Sequence, residues 1–146
     1  MRNSGFEYII DPDANCLFLK YLGAVTSESV IRQATTVIED PLYKKNLNRI
    51  SDFGGCQLDI NTDGIREIAL IAQKQREQRG EYREAMVVDS QLAHGLARIY
   101  DGFLQNTDRE IQIFNSNDKH SIEEMAHWLS IPKECVFPNF MTSLQV

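Results

Sequence analysis

The hydrophobic period of this chain switches back and forth between two and 3.6, and that alternation constrains the fold more than any other feature. Cys16-Leu17-Phe18-Leu19-Lys20-Tyr21-Leu22 reads as a strand. After Gly23 and the apt N-cap Thr26, Val30, Ile31, Ala34, Val37 and Ile38 fall on one face of a helix. Ser29 stands at the N3 position, where a capping box would ordinarily carry Glu or Gln. Asp40-Pro41 stops this helix, and 42–46 connects it to the next strand.

The pattern then repeats. Asn48-Arg49-Ile50-Ser51-Asp52-Phe53 reads as a strand broken by Gly54-Gly55. Asn61-Thr62-Asp63 starts a helix with Ile65, Ile68, Ala69 and Ala72 inward, and Leu70 and Ile71 widen the stripe to a second side. Gln73 to Arg79 is wholly polar and is expected to project into water, with Gly80 as C-cap. Ala85-Met86-Val87-Val88 suits a strand covered on both faces. A helix over about Gln91 to Leu104 would turn Leu92, Leu96, Ile99, Tyr100 and Phe103 inward. Glu110-Ile111-Gln112-Ile113-Phe114 alternates as a strand, and Asn115-Ser116-Asn117-Asp118 is a turn. Ser121 and Glu124 have capping-box spacing for a last helix that buries Ile122, Met125, Ala126 and Leu129.

Before all this, Phe6-Glu7-Tyr8-Ile9-Ile10 forms a strand joined to Cys16-Leu22 by the turn Asp11-Pro12-Asp13-Ala14-Asn15, an antiparallel hairpin at the sheet edge. The order β-β-α-β-α-β-α-β-α predicts an α/β sandwich. It is built on a mixed, mostly parallel sheet of about five strands covered by helices, with right-handed crossovers.

Length and composition narrow the function classes. A chain of 146 residues fits one domain and can bury a core without metal or disulfide. A net charge of -6 argues against a nucleic-acid partner. The three cysteines Cys16, Cys56 and Cys135 are widely spaced and form no CxxC pair. With no signal-peptide core after Met1 and no membrane-length apolar run, the expectation is a cytoplasmic protein with reduced thiols. There is no P-loop, GxGxxG, GxSxG or HExxH, and no cofactor is expected.

Several stretches together resemble the SpoIIAA-like family, which shares the STAS and Sec14-like architecture. They are Asp40-Pro41-Leu42-Tyr43, Arg49 to Phe53, Leu58 to Ala69, Ala85 to Asp89, Gly95-Leu96-Ala97-Arg98-Ile99-Tyr100 and Ala126-His127-Trp128-Leu129. The resemblance runs from about residue 6 to residue 130. It implies a sheet of four or five strands with helices on one side, and a regulatory or ligand-binding module rather than an enzyme. In phosphorylated members of the wider STAS group, a serine between aspartate and glycine opens the helix after the third strand. Here that place reads Asn61-Thr62-Asp63-Gly64. The serine is missing, Thr62 is the nearest hydroxyl, and Asp63 would mimic a fixed negative charge, so kinase-switched binding loses its main residue.

Each candidate for chemistry has a plainer alternative. Thr62 is either a phosphoacceptor, favoured there by the helix dipole, or a plain N-cap. Cys56, in the Gly54-Gly55-Cys56 loop, would be a nucleophile only with a lowered pKa and a histidine nearby. His94, His120 and His127 have no motif spacing to it, and a loop thiol is the default. His120 and His127 are too far apart for a metal motif and read as a solvated helix face with Glu123 and Glu124. Arg98 could bind an anion through its planar fork, or form a structural ion pair with Asp101 or a loop carboxylate. Lys74, Arg76, Arg79 and Arg83 are cancelled by Glu77, Glu81 and Glu84, which makes a solvated helix end with i,i+4 pairs.

The reading is therefore a domain over 1–130 followed by an apolar tail over 131–146. Burying Phe137, Phe140 and Leu144 of the tail would be worth about 2 kcal/mol each, either on its own sheet or on a second subunit as a homodimer. The leading function is a non-enzymatic regulatory or protein-interaction module. Its partner surface would lie at the open end of the sheet: Asp52, Cys56, Asp59, Thr62, Asp63, Asp89, Ser90 and Arg98. The alternative is a small-molecule or lipid carrier, which requires a cavity lined around Leu70, Ile71, Tyr100 and Phe103. A Cys56-dependent enzyme is the third.

Overall fold

A computed structural model describes residues 5–104, 108–116 and 118–145. Met1 to Ser4, Asn117 of the expected 115–118 turn, and Val146 lie outside the described residues.

Strands β1 (Phe6–Asp11) and β2 (Cys16–Tyr21) form the antiparallel edge hairpin, in register from Phe6 opposite Tyr21 to Asp11 opposite Cys16. Then come β3 (Ala24–Val25), α1 (Ser27–Ile38), β4 (Asn48–Asp52), β5 (Gln57–Leu58), α2 (Thr62–Lys74) and the short α3 (Arg76–Arg79). They are followed by β6 (Tyr82–Val88), α4 (Gln91–Phe103), β7 (Arg109–Asn115) and α5 (Lys119–Trp128). The main sheet has five strands in the order β1-β2-β4-β6-β7, parallel from β2 onward. This is the α/β architecture expected from the alternating period. The short parallel pair β3-β5 is additional; two-residue strands leave no period to read.

Because strand side chains alternate, the sheet has two distinct faces. On one, Phe18, Ile50, Ala85, Val87 and Phe114 meet Ile122, Met125 and Leu129 of α5, and the tail residues Ile131, Met141 and Leu144. On the other, Leu17, Leu19, Tyr21 and Met86 meet α1, α2 and α4. Helix α2 packs between α1 and α4. So α5 and the tail cover the face that a one-sided sheet would leave open. The reason is local: Phe18 lies edge-on to Phe137 of the tail, 5.8 Å between ring centres. Phe114 and Trp128 pack at 6.0 Å.

Several local expectations are corrected. Asn61, not Thr62, caps α2: its side chain accepts the Gly64 N–H at 2.8 Å, leaving Thr62 exposed in the first turn. Asp118 rather than Ser121 caps α5, which begins two residues before Ser121, by accepting the His120 N–H at 3.0 Å. Thr26 caps α1 as expected, and Ser29 itself closes the box. The inward stripe of α4 is narrower than its sequence suggests, since Leu92 is 64% and Ile99 38% exposed while Ala93, Ala97 and Tyr100 are buried. Leu70 likewise faces water.

The largest correction concerns Gln73 to Arg79. The helix breaks at Gln75, and Arg79 turns back into the protein, 5% exposed. Its Nε and Nη2 donate to Gln75 Oε1 at 3.0 and 2.8 Å, and Nη1 donates to the Tyr82 hydroxyl at 3.2 Å. A guanidinium with its fork occupied can be buried where a bare charge cannot. Gly80, at φ 72, closes the helix as expected and accommodates Asn46, whose side chain occupies the space a Cβ would need.

Candidate functional site

The three helices on the β2-β4-β6 face do not fill the space beneath them. Ala34 of α1 and Ala93 and Ala97 of α4 point inward where longer side chains would close the core. The resulting cavity measures about 60 Å³. One water needs about 10–15 Å³ of such space, so this is more than a packing defect. Its wall is mostly apolar: Val30, Ile65, Met86 and Ala97 inside, with Ile31, Leu58, Ile60, Ile68, Ile71 and Leu96 half-exposed. Tyr21 stacks on Phe53 at 4.7 Å between ring centres and an interplanar angle of 9°.

The floor is polar. Register places Arg49 opposite Glu84, and Ser51 opposite Met86, on adjacent strands, so Arg49, Ser51 and Glu84 share this face. Both charged side chains are buried, at 6% and 3% exposure. The Ser51 hydroxyl donates to Glu84 Oε2 at 3.1 Å. The Tyr21 hydroxyl donates to Gln33 Oε1 at 2.9 Å. Glu84 Oε1 and Gln33 Nε2 are buried without a hydrogen-bond partner among the described residues. Arg79 lines the same floor. Burial works against its charge, yet Tyr82, Tyr100 and Glu84 outweigh that and hold it above arginine's ordinary value. Burial raises the Tyr100 hydroxyl to about 12, with Glu84 adding to the shift, so it is a neutral donor at any physiological pH.

The cavity can be compared with the lining that the carrier reading requires. Ile71 and Tyr100 line it as expected; Leu70 and Phe103 do not. Phe103 lies under the Arg66 guanidinium instead, at 5.5 Å.

Some of the surface residues singled out from sequence converge at the carboxyl end of β4 and β6. Asp52 is fully buried and pairs with Lys20 at 3.4 Å, and its Oδ1 accepts the Gly54 N–H at 2.9 Å. Lys20 Nζ also donates to the Gly54 carbonyl. Asp89 Oδ2 accepts the Gly55 N–H at 2.9 Å, and Ser90 caps α4. Asp52 and Asp89 thus shape the loop that carries Cys56. The Cys56 thiol donates to the Phe53 carbonyl at 3.1 Å, and burial raises it to about 11 despite nearby Lys20. It is a protonated thiol at neutral pH, the opposite of an activated nucleophile. Asp59, Thr62, Asp63 and Arg98 are exposed. Asp63 meets Arg66 at 3.3 Å on the surface. Asp101 pairs with Arg109 at 3.5 Å, not with Arg98. His120 meets Glu124 at 3.2 Å, and no metal-ligating cluster occurs among the described residues.

Arg49 and Gln33 were not among the residues singled out from sequence, while Arg79 and Glu84 were expected in a solvated helix end; instead both are buried, and Glu84 lies on β6. One signal could have found Arg49 and Glu84. A charge in a central parallel strand covered on both faces cannot reach water.

Sheet order, edge hairpin and the three-helix layer over a cavity define an α/β protein of SpoIIAA-like fold. The solved structure of an uncharacterised DUF3478-family protein with a SpoIIAA-like fold, from Shewanella loihica PV-4, is similar to it at TM-score 0.56 and 19% identity. The likeness covers 88% of this chain and 97% of that one. No family model and no curated protein matches the sequence. No helix among the described residues is long and apolar enough to cross a membrane.

Proposed function

We propose that this protein is a non-enzymatic binding module that holds a small, largely apolar molecule between its sheet and the layer formed by α1, α2 and α4. The observation that carries this reading is the cavity. Its walls are aliphatic, its rim is half-exposed, and alanines stand where a closed core would place larger side chains. Apolar pockets with a few convergent polar groups are the usual form of a ligand site. Native mass spectrometry of freshly purified protein tests it. A retained adduct is expected on the 16.7 kDa chain, lost when Ala97→Phe fills the space. A bare chain that also gains no thermal stability from added 1-octanol would overturn the reading, since a bound ligand must stabilise the native state.

The second reading is a protein-interaction module working from the carboxyl end of the sheet. Leu92 supports it: 64% exposed, in the first turn of α4 beside Ser90 and Asp89. Exposed Thr62 is its candidate phosphoacceptor, and a homodimer is one form it could take. Leu92→Asp would abolish partner capture while leaving the 1-octanol response intact.

A further inference from the structure

The floor of the cavity says which end of a ligand goes in first, an inference that rests on the binding reading above. Arg49, Arg79 and Glu84 all line the cavity, each at least nine-tenths buried. Two guanidiniums face one carboxylate, which leaves a net positive floor beneath apolar walls. The Arg79 fork is committed to Gln75 and Tyr82. Among the described residues, Gln33 Nε2 is a buried donor with no acceptor, and Glu84 Oε1 a buried acceptor with no donor. Such groups are costly to leave unmet in a dry site.

We infer that the cavity takes a short- to medium-chain amphiphile with a single carboxyl group, seated head-down. The carboxylate accepts from the Arg49 guanidinium and the Gln33 amide and neutralises the excess positive charge. The aliphatic chain runs outward past Met86 and Ile65 toward the half-exposed rim. An alcohol head would leave the extra positive charge unbalanced, and an amine head would add to it.

Calorimetric titration of the full chain with octanoate, 1-octanol and octylamine tests this. A charge-assisted hydrogen bond predicts octanoate binding at least about tenfold tighter than 1-octanol. Arg49→Leu should erase that preference and leave 1-octanol binding in place. Glu84→Gln keeps an acceptor for Ser51 and removes the competing negative charge, so it should tighten octanoate; this near-isosteric variant keeps the test valid if Arg49→Leu does not fold. Equal or tighter binding of 1-octanol or octylamine would overturn the carboxylate assignment and leave the apolar-ligand reading standing. Binding of none of the three would overturn both.

Discussion

Arg49 and Glu84 stand directly opposite each other on β4 and β6, both shut off from water on the floor of the same cavity. Removing the Glu84 carboxylate leaves two buried guanidiniums, Arg49 and Arg79, on that floor without its opposite charge, and an uncompensated buried charge is costly. Glu84→Leu should therefore lower stability by about 3 kcal/mol in urea unfolding. Combining it with Arg49→Met should recover at least about 1 kcal/mol, because the second change removes one of the stranded charges. Strict additivity of the two would show that the side chains do not sense each other.

Cys56 gives a pH prediction. Burial raises its thiol from 9.0 to about 11. The native state then holds the proton more tightly than the unfolded chain, so the associated stability is present below pH 9 and is lost as pH rises toward 11. Alkylation at pH 7 should be slow and should accelerate about tenfold per pH unit, following the thiolate fraction. Cys16, fully buried, should stay unlabelled in native protein. Rapid labelling of Cys56, independent of pH near neutrality, would mean a thiolate is already present and would revive a nucleophilic role.

The strand–helix alternation made most of the fold legible, because β2, β6 and β7 and the stripes of α1, α2 and α5 carry their burial in their spacing. The site was less legible. Arg49, Ser51 and Glu84 occupy alternate strand positions that, in an isolated strand, read as a solvent face. Here that face is roofed by α1, α2 and α4, a long-range fact that only the central place of β4 and β6 in the sheet order would signal. Arg79 is hidden from local spacing for the same reason: its partners Gln75 and Tyr82 bring it inward only because α2 breaks at Gln75. The side chains of Leu92 and Ile99 point away because alanines, not leucines, form the contact face of α4.

The tail packs on its own sheet, with Met141 and Leu144 fully buried against the Phe18 side. Leu144→Ala should cost about 2–5 kcal/mol in urea unfolding, the range for a large-to-small core change. Light scattering on the intact chain should give a 16.7 kDa monomer. Twice that mass, falling to a monomer when the chain is cut after Ile131, would show that the tail also serves as a dimer arm.

Methyl-labelled NMR during titration with octanoate addresses the cavity most directly. Saturable shifts are expected for Ile65, Met86 and Ala97, which line it, with Met125 and Leu144 on the opposite face unmoved. Shifts confined to the α5 face, or no saturable change at any methyl, would contradict a ligand seated between the sheet and α1, α2 and α4.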